Sequence, residues 1–191
     1  GARVGYDAWL FSENAIARFR ENVEACGGTL VAVEGNPVDA VWTDQPPRPS
    51  APVVPHDIAY AGESAAEKRG RLAKGLAQWG HAATVITAPD SIAWLLNVRG
   101  GDVAHSPLPL SFAILYDDAR CDLFLDRRKI SPGLEAHVGN EVALRGEDEF
   151  AAALDALGSR AAKTLVDPAL TAAWVFERLQ SAGAKIVRAA D

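Results

Sequence analysis

Apolar residues along this chain change period several times, and each change marks an element. From Ser12 to about Cys26, Ala15, Phe19, Val23 and Ala25 form one helical face, and Gly27-Gly28 supply a left-handed stop. A short strand precedes this helix, and a second strand is predicted at Thr29 to Val33. Ser64 and Glu67 have capping-box spacing before the helical run "AAEKRGRLAKGLAQW", which Gly80 ends. "AATVIT", residues 82 to 87, is a short apolar run of buried-strand type, and "PDSIAWLLN" restarts a helix with Ile92, Leu95 and Leu96 on one face.

The same grammar returns near the C-terminus. "EDEFAAALDALGS" reads as a helix and "KTLVD" as a strand, with Asp167-Pro168 as N-cap and N1 of a helix running to about Ser181. Ala182-Gly183 stops it before a last strand, "AKIVRA". Between the two αβα stretches, "LSFAILY" and "RCDLFLD" flank Asp117-Asp118-Ala119 and predict a hairpin. The expected fold class is therefore α/β, a mixed β-sheet flanked by helices.

One stretch breaks the grammar. "TDQPPRPSAPVVPH", residues 43 to 56, holds five of the chain's 11 prolines, a density that forbids helix and central strand. An extended, semi-rigid linker and a domain boundary are expected there. Trp42, just before it, is a candidate anchor for the junction.

Composition narrows the function classes. At 191 residues and 49% hydrophobic the chain has material for a sizeable core, and its net charge of −6 opposes a nucleic-acid partner. The one basic cluster, Arg127-Arg128-Lys129, reads as a solvated turn after a strand. No apolar run approaches the roughly 20 residues of a membrane span, so no membrane partner is expected. Cys26 and Cys121 lack C-x-x-C spacing and read as buried free thiols in a reducing cytoplasm. The chain contains no methionine and opens on Gly1-Ala2-Arg3-Val4, so it is expected to be processed or excised from a longer protein.

Candidate chemistry concentrates in one loop. The histidines at 56, 81, 105 and 137 show no metal-ligand spacing, so no cofactor is expected in this chain. Asp102, His105 and Ser106 bring three triad residue types within five positions, but neighbours in sequence seldom face one another, and no G-x-S-x-G elbow is present. Gly100-Gly101 match no phosphate-binding fingerprint and read as the stop of the preceding helix. Trp79, Trp94 and Trp174 lie on helical segments and are expected in the core. Arg99 and Asp102 have the spacing for an ion pair across the glycines, and Ser106-Pro107-Leu108-Pro109 holds the chain extended into the next strand. Structural and docking roles for this loop both stay open.

Two segments carry a resemblance. "NPVDAVWTDQPPRP", followed by "APDSIAWLLNVRGGDVAHSPLPLSFAIL", resembles the three-domain Xaa-Pro aminopeptidases (aminopeptidase P) of the creatinase/prolidase superfamily, through W-x-D-x-P-x-x-P and D-x-I-A-W-L-x-N-x-R-G-x-D-V. The resemblance implies a creatinase N-terminal-domain-like fold with a ribonuclease H-like motif. It places residues 1–45 at the tail of the family's first domain and residues 46–191 in its second, noncatalytic domain. The catalytic domain, absent from this sequence, would hold two divalent metal ions (manganese, cobalt or zinc) and remove the N-terminal residue from peptides with proline second. This chain alone is expected to be inactive, cytoplasmic, and partnered by its own C-terminal catalytic domain. Proline-containing peptides would be reached through the parent, and a homodimer is a further expected assembly. Arg99, Asp102 and His105 are candidates for a loop on the substrate or interdomain side. The alternatives are a stand-alone creatinase-like interaction module and a small hydrolase using Asp102, His105 and Ser106.

Overall fold

Ser12 starts the first helix as its position predicts. In the computed structural model, which describes residues 1–191, its hydroxyl accepts the Ala15 N–H at 3.4 Å and opens α1 (Glu13–Ala25). This helix joins β1 (Arg3–Tyr6) to β2 (Thr29–Ala32), which pair in parallel as a separate two-stranded sheet. A short α2 (Pro37–Val41), capped by Asn36, leads into the proline stretch.

That stretch is only partly a free linker. Val53 is buried, its N–H donates to the Lys129 carbonyl at 2.7 Å, and β3 (Val54–Pro55) pairs antiparallel with β5 (Val98–Arg99). Proline tolerates this position because a two-residue pair is all edge.

After α3 (Ile58–Ala61), the Ser64–Glu67 capping box forms and opens α4 (Ala65–Gln78). A six-stranded mixed sheet follows, in the order β10-β9-β4-β6-β7-β8. Its strands are β4 (Ala83–Ile86), β6 (Phe112–Tyr116), β7 (Cys121–Leu125), β8 (Val142–Gly146), β9 (Lys163–Val166) and β10 (Lys185–Arg188). β4 runs parallel to β9 and antiparallel to β6, and β6–β7 is the expected hairpin, with Ala119 left-handed (φ 69°) at its turn. The sheet and its flanking helices match the α/β class read from the sequence.

Both faces are covered, which is why the central strands read as apolar runs rather than alternations. On one face α4, α5 (Pro89–Leu96) and α6 (Leu134–Val138) bring Leu76, Ile92, Leu95 and Leu134 against Leu115, Leu123 and Leu125. On the other, α7 (Phe150–Ser159) and α8 (Ala173–Ala182) bring Phe150, Leu154, Phe176 and Leu179 against Val85, Ile114, Phe124 and Val166.

Several expectations need correction. α8 begins at Ala173 instead of beside Pro168, because Asp167 caps a turn of its own, accepting from the Ala169 and Leu170 N–H groups. The first donors of α8 go to the N-terminal segment: Ala173 N–H to the Phe11 carbonyl and Trp174 N–H to the Ala8 carbonyl. Trp42 is exposed and does not anchor that junction. Trp9 does, stacking on Trp174 with ring centroids 4.2 Å apart. Trp79, at the C-cap of α4, and Trp94, on α5, are exposed outside the core, and Cys26 is exposed at the end of α1 while Cys121 is buried in β7.

Candidate functional site

The loop from Arg99 to Leu110 is built by the residues on either side of it. α5 ends at Asn97, which is left-handed (φ 49°), and not at Gly100-Gly101. Asparagine tolerates that conformation, and its side chain is tied down: Oδ1 accepts Lys68 Nζ at 2.7 Å, and Nδ2 donates to the Glu63 carbonyl at 2.8 Å. The chain then makes the two-residue β5 and turns. Gly100 is there because Pro109 lies over it; a Cβ at this position would sit 2.8 Å from the proline ring and backbone. Gly100 N–H donates to the Pro107 carbonyl and Asp102 N–H to that of Leu108, closing a narrow double-backed loop.

His105 stands at its tip, exposed and left-handed at φ 61°. Ser106 N–H bonds back to the Val103 carbonyl.

Asp102 points the other way. Its Oδ1 accepts the Ala51 N–H at 3.1 Å, and its Oδ2 accepts the Leu110 N–H and Lys129 Nζ, both at 2.8 Å. Lys129 also donates to the Leu110 carbonyl at 2.9 Å. Both side chains are essentially solvent-free, 0% and 2% exposed. Burial alone would raise the Asp102 pKa, but the Lys129 ammonium and the two backbone donors outweigh it and hold the carboxyl below its ordinary value. The pair therefore locks three segments together: the proline stretch, the glycine loop and the turn after β7.

Three readings fall on this geometry. Lys129 is no member of a solvated basic turn; Arg127 and Arg128 alone face solvent, paired with Glu149 and Asp126. The Arg99–Asp102 ion pair does not form, since Asp102 is committed to Lys129 and Arg99 Nη1 donates instead to the Val98 and Ala93 carbonyls at 2.8 and 3.3 Å. Nor does a triad assemble. A histidine serving as general base needs an orienting carboxylate, whereas the Asp102 carboxylate is turned inward and saturated. No group of three His, Cys, Asp or Glu side chains in the chain converges to hold a metal ion, so the residues present do not fit a metal centre.

The sequence does carry a trace of the buried cations. Lys68 and Arg69 occupy the inward stripe of α4 between Ala65 and Ala73, where a charge has to find a partner. Lys129 leaves no such trace, because its helical turn is a single one.

This arrangement of loop, proline stretch and sheet has relatives. Residues 44–191 match the creatinase/prolidase N-terminal domain. The chain belongs to that family. It is 35% identical over 185 residues to aminopeptidase P2 of Arabidopsis thaliana, covering 95% of this chain and 26% of that protein. All of it superposes, with a TM-score of 0.88 and 25% identity, on 32% of the crystal structure of X-prolyl aminopeptidase from Caenorhabditis elegans, described as a cytosolic enzyme with a di-nuclear active site. A Streptococcus thermophilus aminopeptidase P structure matches 66% of the chain at 15% identity and a TM-score of 0.50, a likeness of fold alone. The chain spans about a quarter of the length of the curated relatives it matches. The likeness read from the two motif segments is thus borne out at the level of family and fold. No helix of this creatinase/prolidase-family chain is long and apolar enough to cross a membrane.

Proposed function

We propose that this chain is the noncatalytic N-terminal region of a cytoplasmic, metal-dependent Xaa-Pro aminopeptidase. Residues 1–45 complete a first creatinase-like domain and residues 46–191 form the second. The single observation that carries this reading is the superposition of the whole chain on one third of an X-prolyl aminopeptidase. In the full-length protein the partner is a C-terminal catalytic domain holding two divalent metal ions, manganese, cobalt or zinc, and acting on peptides with proline second. A homodimer of that whole protein, with this region supporting interdomain packing or oligomerisation, is part of the same reading.

Within this reading the Arg99–His105 loop faces the catalytic domain and limits the substrate cleft to short peptides. Its support is the division of labour in the loop: Asp102 anchors it from inside while His105 stands exposed at the tip. The 191-residue chain mixed with Mn2+ and an Xaa-Pro peptide should release no amino acid, whereas the full-length enzyme should. Arg99→Ala and His105→Ala in that enzyme should change kcat/KM or the preference for peptide length. Unchanged kinetics in both variants would remove the role of the loop; hydrolysis by the isolated chain would remove the noncatalytic assignment.

A further inference from the structure

A cavity at the start of α4 is bordered by a buried guanidinium that forms no salt bridge. Arg69 is only 4% exposed. Its Nε donates to the Ala119 carbonyl at 3.2 Å, but Nη1 is buried with no hydrogen-bond partner. None of the ten ion pairs includes it. Burial pulls its pKa down, partly offset by Cys121 and Glu141, yet a guanidinium stays charged inside a protein. A buried charge without a counter-charge is strongly destabilising.

The cavity, about 710 Å³, is lined by Arg69, by Ser64, Ala65 and Ala66, and by His56 and His137 among others. Ser64 caps the Glu67 N–H, and the Glu67 carboxylate returns to the Ser64 N–H. The N–H groups of Ala65 and Ala66 are left without any partner in the chain. α4 is 14 residues long, so these two donors stand at the positive end of a full helix dipole. Arg69 lies four and three residues beyond them, on the same helix face. A guanidinium with no salt bridge and only its Nε bonded, and two amides without partners, therefore border one cavity.

We propose that this cavity binds a small oxyanion, the phosphate or carboxylate group of a small ligand, between the Arg69 guanidinium and the Ala65 and Ala66 amides. Helix N-terminal amides together with arginine are the donor set that recognises such groups. Two carboxylates border the cavity as well. Asp57 accepts the Ala59 N–H at 2.7 Å, and the exposed Glu141, the carboxylate whose charge acts on Arg69, is the internal competitor for it.

The test is a pair of titrations of the 15N-labelled chain at constant ionic strength, one with sodium phosphate and one with sodium acetate, followed through the Ala65 and Ala66 amides and Arg69 Nε. Saturable shifts at these groups are expected in at least one titration. Saturation by phosphate alone assigns a phosphorylated ligand, by acetate alone a carboxylate ligand, and by both a general oxyanion site. Arg69→Gln should weaken binding about tenfold or more, the loss of a charged hydrogen bond, and Glu141→Gln should tighten it. If Arg69→Gln fails to fold, Ala65→Pro serves instead, because proline is tolerated at N1 and Ser64 already has the extended backbone (φ −70°, ψ 152°) that precedes a proline; it removes one donor and should also weaken binding. Shifts that never saturate with either salt, or an affinity indifferent to the variants that fold, would overturn the proposal.

Discussion

Asp102 takes hydrogen bonds from Ala51, Leu110 and Lys129, so one carboxylate joins residues that lie far apart in the chain. Its folded pKa lies below the ordinary carboxylate value, about 3.9. The stability it contributes is therefore fully present above that ordinary value and is lost as pH falls through the depressed one. Asp102→Asn leaves Lys129 charged and buried without its counter-ion, which should cost about 3–5 kcal/mol at neutral pH. Urea unfolding at pH 7 should show the loss, and the same measurement in steps from pH 5 to pH 2 should show a shallower acid decline than in the parent chain. An acid decline of unchanged slope would mean that Asp102 is not the group being titrated. Residue types made this loop look like a triad, and that impression came from proximity in sequence. What the side chains do depends on which way each one turns, and the inward turn of Asp102 follows from Lys129, 27 positions away.

Among the elements, α4 and α5 show the limits of reading a helix by its apolar face. The capping box, the stop at Gly80 and the stop at Gly183 are all legible because they are local. The end of α5 is not, because Asn97 is held by Lys68 from another helix, and the start of α8 is not, because Ala8 and Phe11 satisfy its first donors. Lys68 is the clearest case. It is 2% exposed, donates to the Trp94 carbonyl at 2.9 Å and to Asn97 Oδ1, and its ammonium lies 4.6 Å from the Trp94 ring centroid. Lys68→Met keeps the bulk of the stem but leaves Asn97 Oδ1 without its donor and the Trp94 carbonyl with only the long Asn97 N–H contact at 3.4 Å. A destabilisation of about 1–3 kcal/mol is expected from the orphaned Asn97 Oδ1, with a change in Trp94 fluorescence. A stability equal to the parent's would show that water replaces the ammonium at no cost.

For the whole molecule, the N-terminal β1–α1–β2 unit is attached to the rest of the fold through one seam at the start of α8. Trp9 stacks on Trp174, the Tyr6 hydroxyl donates to Glu177 at 2.6 Å, Arg188 pairs with Glu13 at 2.8 Å, and two backbone carbonyls cap α8. Burial and the neighbouring Glu177 carboxylate push the Tyr6 phenol up to about 12, so this contact holds through the neutral range. Trp9→Ala removes an aromatic pair that contributes about 0.5–1.5 kcal/mol beyond its buried area. Hydrogen exchange should then quicken in β1 and β2 by about tenfold, while β4, β6 and β7 keep their protection, as expected of a unit that opens separately. Uniform quickening across both sheets would instead mark a single cooperative unit.

The sequence by itself determined the α/β class, most element positions, the β6–β7 hairpin and, through two motif segments, the family. Those depend on period, capping and turn chemistry, which act over a few residues and are written in order along the chain. Tertiary structure alone decided that Asp102 meets Lys129, that Asn97 ends α5, that Trp9 and not Trp42 anchors the junction, and that Arg69 faces a cavity unpaired. Each of these is a partnership between segments that approach only after the sheet has formed, and burial then makes an unpaired polar group too costly to leave at random.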